Sequence, residues 1–181
     1  DDEIAAVKRV EADFEVHGRE RTYRAQRLLL ATGIFHLPPE IPGVKECLGH
    51  SMFFCKDCDG VRVRGQRIAI CGANTEAVEY ALGLLHYSPC VVIATNGEKP
   101  RWSKQHAAWV EEYKIPIYGR RILDVEHRDR QILALRFDQG ERLKIDYILT
   151  TRGDVFHTSL ADPLGAKLDS DGQREVDQCM L

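Results

Sequence analysis

Apolar positions along this chain change their period several times, and each change marks an element. From Ala5 to Val16 and again from Tyr23 to Leu30 they alternate with polar ones, the signature of strands with one covered face. The polar segment His17-Gly18-Arg19-Glu20 between them predicts the turn of an antiparallel hairpin that ends in Leu-Leu-Leu-Ala-Thr-Gly. Leu37-Pro-Pro-Glu-Ile-Pro-Gly43 then places three prolines and a glycine within seven residues, which excludes helix and central strand and predicts a linker. Beyond it lie an apolar run from Arg67 to Cys71, a glycine turn, an amphipathic stretch from Thr75 to His86 and a second apolar run from Cys90 to Thr95. Ala77, Val78, Ala81, Leu82 and Leu85 recur at helical spacing, so these segments predict a βαβ unit whose strands belong to a parallel sheet covered on both faces.

A second amphipathic segment, Ser103 to Tyr113, leads into Ile115–Tyr118. Ile122 to Glu126, Ile132 to Phe137 and Arg142 to Lys144 predict a small antiparallel meander, and Tyr147 to Thr151 returns to the sheet. The fold class expected is α/β: a three-layer Rossmann-type nucleotide-binding domain with a small antiparallel β meander, over residues 37–155, plus pieces of a second domain at 1–36 and 156–181. No internal repeat or low-complexity tract interrupts this plan.

Composition narrows the partners. The longest apolar stretch, Leu28 to Phe35, is broken by Thr32 and Gly33 and falls far short of the roughly 20 residues of a membrane helix. With 25 basic and 28 acidic residues the formal charge is -3, and the clusters at Arg62, Arg64, Arg67 and at Arg120, Arg121 carry no interleaved aromatics. Neither a membrane nor a nucleic acid is expected as a partner. Six cysteines are too few and too unevenly spaced for a secreted disulfide scaffold, which points to a reducing, cytoplasmic setting. The chain opens Asp-Asp-Glu, without a basic and apolar leader, and reads as a piece of a longer protein.

The sharpest chemical signal is Phe54-Cys55-Lys56-Asp57-Cys58-Asp59-Gly60. Two thiols separated by two residues can close a small disulfide ring at a helix start, where N–H groups and Lys56 favour a thiolate, while Asp57 and Asp59 oppose it. A carboxylic acid directly after the second cysteine can deliver the proton that a departing thiolate needs, which assigns Cys55, Cys58 and Asp59 as the catalytic group. Two other readings fit the same residues. Cys47 and His50 with Cys55 and Cys58 give four soft ligands for zinc within twelve residues, and a pair of inert core cysteines, with Asp59-Gly60 a simple turn, is the other alternative to redox chemistry. Cys71 and Cys90 sit in apolar runs and read as small hydrophobes.

Gly72-Ala-Asn-Thr-Glu-Ala77, between strand and helix, is close to the G-x-G-x-x-A dinucleotide turn. Gly72 permits the tight turn, Ala77 lets helix and strand pack, and Asn74 and Thr75 stand where a pyrophosphate meets the helix start. Asn74 replaces the middle glycine, however, and Glu76 adds negative charge there. The second strand ends in Thr95-Asn96-Gly97-Glu98-Lys99-Pro100-Arg101, where Thr95, Lys99 and Arg101 are the candidates to meet a ribose or its phosphate, and a solvated loop is the alternative. Trp102, Trp109 and Tyr113, at helical spacing, read as packing residues more than as a docking surface, and His86 and His106 have no partner that the sequence names.

Leu30-Ala-Thr-Gly33, the proline-rich crossover, Phe54-Cys-x-x-Cys-Asp-Gly60, Arg67 to Ala81 and Leu164-Gly-Ala-Lys-Leu168 stand in the order and spacing of low-molecular-weight thioredoxin reductases, and nearly the whole chain resembles that family. The resemblance implies an FAD-type domain, here 1–36 and 156–181 with Thr32 and Gly33 against the flavin, split by a pyridine-nucleotide domain that carries the cysteines and rotates between two arrangements. It implies that Cys58 faces the flavin, that Cys55 attacks the disulfide of a thioredoxin-like protein, that Asp59 is the acid, and that the parent is a homodimer. In that family FAD is held largely by an N-terminal glycine motif and a C-terminal Gly-Asp segment, neither of which occurs in these residues. The chain alone is therefore expected to be colourless and inactive as a reductase. The family's arginine-rich stretch for NADPH is replaced by Thr95-Asn96-Gly97-Glu98, so NADPH and NADH are expected to bind weakly or not at all. Relatives that take electrons from ferredoxin, or pass them to oxygen as thiol oxidases, are the alternatives.

Overall fold

The computed structural model describes residues 1–169, 173 and 175, so the end of the expected return segment at 156–181 lies outside the described residues. The chain divides into two compact units, Asp1–Phe35 with Asp154–Leu181, and His36–Gly153.

The first unit opens with an antiparallel sheet in the order β1 (Ile4–Val10), β2 (Asp13–Gly18), β3 (Thr22–Ala25). The expected single strand from Ala5 to Val16 is two strands, reversed by a two-residue turn in which Glu11 takes φ 56°. Burial gives the reason. Val7 and Val16 are the two buried valines of this sheet, and the reversal places them directly opposite each other. The expected strand through Leu28–Leu30 does not form. No ladder runs alongside it to take its backbone N–H and C=O groups, and Leu29 is 89% exposed. The chain resumes extended structure at β4 (Ile34–His36).

The second unit contains β5 (Met52–Phe53), α1 (Lys56–Asp59), β6 (Ile68–Cys71), α2 (Thr75–Leu84), β7 (Val91–Ala94), α3 (Lys104–Glu112), β8 (Ile117–Tyr118), β9 (Ile122–Arg128), β10 (Gln131–Phe137), β11 (Arg142–Lys144) and β12 (Tyr147–Thr150). A last strand, β13 (Asp154–Phe156), pairs with β4. Five strands form a parallel sheet in the order β5-β12-β6-β7-β8.

Side chains that alternate along these strands build the three layers. Ile68, Ile70, Val91, Ile93, Phe53 and Leu149 point to one face and pack with Ala77, Val78, Ala81 and Leu84 of α2 and Val110 of α3. Ala69, Cys71, Ala94, Met52 and Ile148 point to the other, where they meet Ile122, Val125, Ile132, Leu135 and Phe137 of the antiparallel meander β11-β10-β9. Both faces are thus covered, which is why these strands read as continuous apolar runs. The third layer is the meander, so the order of layers is helices, parallel sheet, meander. The expected linker, residues 37–43, is tied to the meander-side core by Ile41, and Val44 and Cys47 just beyond it join the same core. Gly43 takes φ 84° there, and a Cβ on it would come within 2.6 Å of the Val125 carbonyl. At the opposite rim of the sheet, Asp146 accepts bonds from the Arg67 backbone N–H and guanidinium, tying the starts of β6 and β12 together.

Candidate redox site and glycine turn

Cys55 and Cys58 form a disulfide, with their Cα atoms 5.3 Å apart. Cys55 is the N-cap of α1, extended at φ -114°, and its sulfur accepts the Cys58 N–H at 3.0 Å. Cys55 is half-buried and Cys58 exposed. The helix is a single turn, and it is fixed from below. Gly60 is buried against the Tyr87 ring, where a Cβ would come within 2.5 Å of that ring and 2.7 Å of the Lys56 carbonyl. The residue before the cap is held at two points, since the Tyr80 hydroxyl donates to the Phe54 carbonyl at 3.0 Å and the Phe54 ring stacks on His36 at 4.8 Å. Lys56, expected to add positive charge for the thiolates, gives its ammonium to both Asp57 oxygens and lies 5.8 Å from the Tyr80 ring.

Asp59 closes the turn. Burial raises its carboxyl above the ordinary range, and Arg62, whose Nε stands 3.6 Å from Oδ1, works in the opposite direction. An acid shifted upward holds its proton closer to neutral pH, which suits a proton donor. The zinc alternative gathers no further ligand. Cys47 is fully buried with its thiol donating to the Gly43 carbonyl, and burial pushes that thiol upward, while His50 is exposed. Among the described residues no three His, Cys, Asp or Glu side chains are grouped to hold a metal. Cys71 is buried, and burial pushes its thiol up to about 12. Cys90 departs from the expectation: it lies one residue before β7, at the rim of the sheet, and is exposed as a free thiol.

The glycine turn holds itself shut. Asn74 caps α2, and its Oδ1 accepts the Ala77 N–H at 3.1 Å and the Thr151 hydroxyl at 2.7 Å, while Nδ2 donates to the Thr151 carbonyl at 3.0 Å. The space that Gly72 leaves by lacking a Cβ is filled by the Thr151 hydroxyl and by Ala77, 3.2 Å away. Thr75 and Glu76 occupy the first turn behind this cap. The loop after β7 does fold back: the Arg101 N–H donates to the Ala73 carbonyl at 2.6 Å. Its guanidinium, however, pairs with Glu98 at 2.8 Å. Thr95 is buried with its hydroxyl unpartnered, Lys99 is exposed, and Asn96 spends its side-chain oxygen on the Ile122 N–H at 2.7 Å. Cys55, Cys58 and Asp59 thus come together on one turn, and Gly72, Asn74, Thr75 and Ala77 on another.

Thr32 and Gly33 lie in the first unit, where the Thr32 hydroxyl donates to the His157 carbonyl at 2.6 Å and both residues line a cavity of about 320 Å³ with Leu30, Ile34 and Phe156. All three α-helices among the described residues lie in the second unit, so the described residues of the first unit contain no α-helix N-terminus of their own for a flavin pyrophosphate. The described residues of the first unit thus lack the pyrophosphate cradle that a flavin dinucleotide needs.

Sequence reasoning missed Thr151, Tyr80 and His36. Each acts across a large sequence separation, 77 residues for Thr151 with Asn74 and 26 for Tyr80 with Phe54. The parallel pairing of β12 with β6 brings Thr151 to the turn, and no local pattern announces that pairing. His106, without a partner in the sequence, stands 2.7 Å from Ser103 Oγ, 3.4 Å from Glu79 and edge-on to Trp109.

Over residues 2–180 the chain matches the family described as pyridine nucleotide-disulphide oxidoreductase. A thioredoxin reductase of Coxiella burnetii is 31% identical over 115 residues, 61% of this chain and 36% of that protein. The thioredoxin reductase tcpT of Claviceps purpurea is 27% identical over 182 residues, 96% of this chain and 57% of its own length. The crystal structure of a putative thioredoxin reductase TrxB from Bacillus anthracis superposes with a TM-score of 0.84 at 25% identity, covering 97% of this chain and 59% of that one. The chain therefore spans between about a third and three fifths of these relatives.

Proposed function

The chain belongs to the pyridine nucleotide-disulphide oxidoreductase family, and from that membership we propose that it is the disulfide-bearing part of a flavin-dependent reductase of protein disulfides. The observation that carries this reading is the Cys55–Cys58 disulfide on a capped single turn, followed directly by a carboxyl that burial raises. The family's flavin supplies an electron pair when bound. What this chain contributes is the acceptor and the proton.

Reduction of the Cys55–Cys58 bond takes up two electrons and two protons and leaves two thiols. The exposure of Cys58 supports it as the sulfur that meets the electron source. The Cys55 thiolate then attacks a disulfide of a thioredoxin-like protein, forming a mixed disulfide and expelling one partner sulfur, which Asp59 protonates. Attack by Cys58 on Cys55 restores the ring and releases the partner as a dithiol. Tyr80 and His36, through Phe54, hold the cap from which Cys55 acts. The setting proposed is the cytoplasm, with the complete protein a homodimer.

One observation favours a second reading. The closed glycine turn suits a thiol oxidase of the same family, in which a substrate dithiol reduces the pair and the electrons leave to dioxygen, giving hydrogen peroxide. Thiol titration before and after reduction tests what the two readings share: two new thiols per chain are expected, and none in Cys55→Ser. Stoichiometric zinc without a reducible disulfide would contradict both. Oxygen consumption by the full-length protein with a dithiol as donor separates the oxidase from the reductase.

A further inference from the structure

We infer that Asn74 and Thr151 act as a lock that excludes pyridine nucleotides from this unit, so that the chain keeps the fold of a dinucleotide domain as the carrier of the disulfide alone. The inference rests on the proposed redox role and deepens it, by stating which donor does not reach the pair through this turn.

A dinucleotide turn works by offering backbone. The middle position lacks a side chain so that the pyrophosphate can approach, and the N–H groups of the first helical turn stay open to receive its oxygens. The first condition fails here, and of the first-turn N–H groups that of Ala77 is already taken. The middle position is Asn74, and its carboxamide lies across the start of α2, where Oδ1 takes the Ala77 N–H and the Thr151 hydroxyl. Its Nδ2 is held by the Thr151 carbonyl, so the amide is gripped on both ends and cannot swing aside without breaking three hydrogen bonds at once. The gap at Gly72, where a backbone could come close to a ligand, is taken by the Thr151 hydroxyl.

Charge reinforces the exclusion. Glu76 stands in the first turn of α2, where a phosphate would need positive potential. Arg101 is brought to the turn by its backbone, while its guanidinium pairs with Glu98. The buried Thr95 side chain presents nothing to a ribose. Asn74 and Thr151 are therefore specificity-determining residues, and what they determine is refusal.

Calorimetric titration of this chain with NADPH and with NADH, run with a thiol count on the same sample, tests the inference. No saturable heat is expected from either nucleotide at millimolar concentration, and no preference for one over the other. Asn74→Gly removes the lock and opens the middle position, with an expected gain of roughly tenfold to a hundredfold, the size of a relieved overpacking. Asn74→Ser keeps the cap but is too short to reach Thr151, and serves if the glycine variant is poorly folded. Micromolar binding by the unaltered chain would overturn the inference, and so would a folded Asn74→Gly or Asn74→Ser variant that binds no better. Either failure alongside two reducible thiols sinks the lock alone, whereas the absence of reducible thiols sinks the redox reading on which it rests.

Discussion

Helices α1 and α2 begin the same way. Each has an extended cap residue whose side chain accepts the N–H three positions on, from Cys55 to Cys58 in one and from Asn74 to Ala77 in the other. They differ in what else the capping atom does. The Cys55 sulfur is half of a disulfide that closes a ring over the four residues 55–58 and can leave its place by one bond exchange, whereas the Asn74 amide is tied twice more to the end of a neighbouring strand. A cap with one replaceable partner can be chemistry; a cap with three fixed partners is structure. Helix α3, whose cap Ser103 meets the backbone N–H and ring of the one residue His106, provides the reference.

The largest expected effect is on the reactive cap. Serine caps helices well, so Cys55→Ser should leave the fold intact while leaving reduction no new thiol to release, Cys58 being free from the start. Circular dichroism with thiol titration checks both halves, and a variant that still yields new thiols would mean the disulfide lies elsewhere.

Next is the acid beside that cap. Asp59→Asn should slow reduction of the partner's disulfide by the full-length protein, followed as thiol release, by about a hundredfold or more, the range of a lost general acid. It should also stabilise the chain at neutral pH. Because burial raises the Asp59 carboxyl, its contribution to stability is complete below its unfolded value near 3.8 and is lost as pH rises through the folded value. The asparagine variant should therefore melt higher at pH 7, with no advantage below pH 3.8. A lower Tm at pH 7 would show that the Arg62 pairing outweighs the burial.

The fixed cap is measured against the reference one. Asn74→Ala removes a cap and two bonds to Thr151, for an expected loss of about 2 to 3 kcal/mol, whereas Ser103→Ala should cost about 1 kcal/mol. Equal losses in urea unfolding would show that the tie to Thr151 adds nothing to the cap. Smallest is Arg101→Ala: both it and Glu98 are more than half exposed, so stability should change by less than about 0.5 kcal/mol.

What was legible in the sequence was whatever is written at short range. The strands β6 and β7, the helix α2 between them and the meander announce themselves by the period of their apolar positions, and the sequence Cys55-Lys-Asp-Cys58-Asp59 announces its chemistry by spacing. Asn74 could be recognised as an intruder in a glycine motif. That it is bonded to Thr151 could not, because the contact depends on β12 inserting between β5 and β6 in the sheet. Cys90 was misread for a related reason: its apolar neighbours continue the pattern of β7, while its position one residue outside the strand puts it on the rim. The turn at Glu11-Ala12 was missed because it carries no glycine, proline or asparagine, and only the pairing of Val7 with Val16 requires it.

Trapping a mixed disulfide tests the central claim most directly. The reduced chain in its Cys58→Ser form, mixed with a thioredoxin that keeps one active-site cysteine activated as a disulfide with a small aromatic thiol, retains the attacking thiol; the small thiol leaves, and neither active-site pair keeps the second thiol that would resolve the adduct. Mass spectrometry of the unreduced digest should then find Cys55 joined to the thioredoxin, and the Cys55→Ser form should give no such species. A Cys58 adduct in the second variant with none at Cys55 in the first would reverse the roles of the two sulfurs, and no adduct in either would contradict the assignment of this pair to protein disulfide reduction.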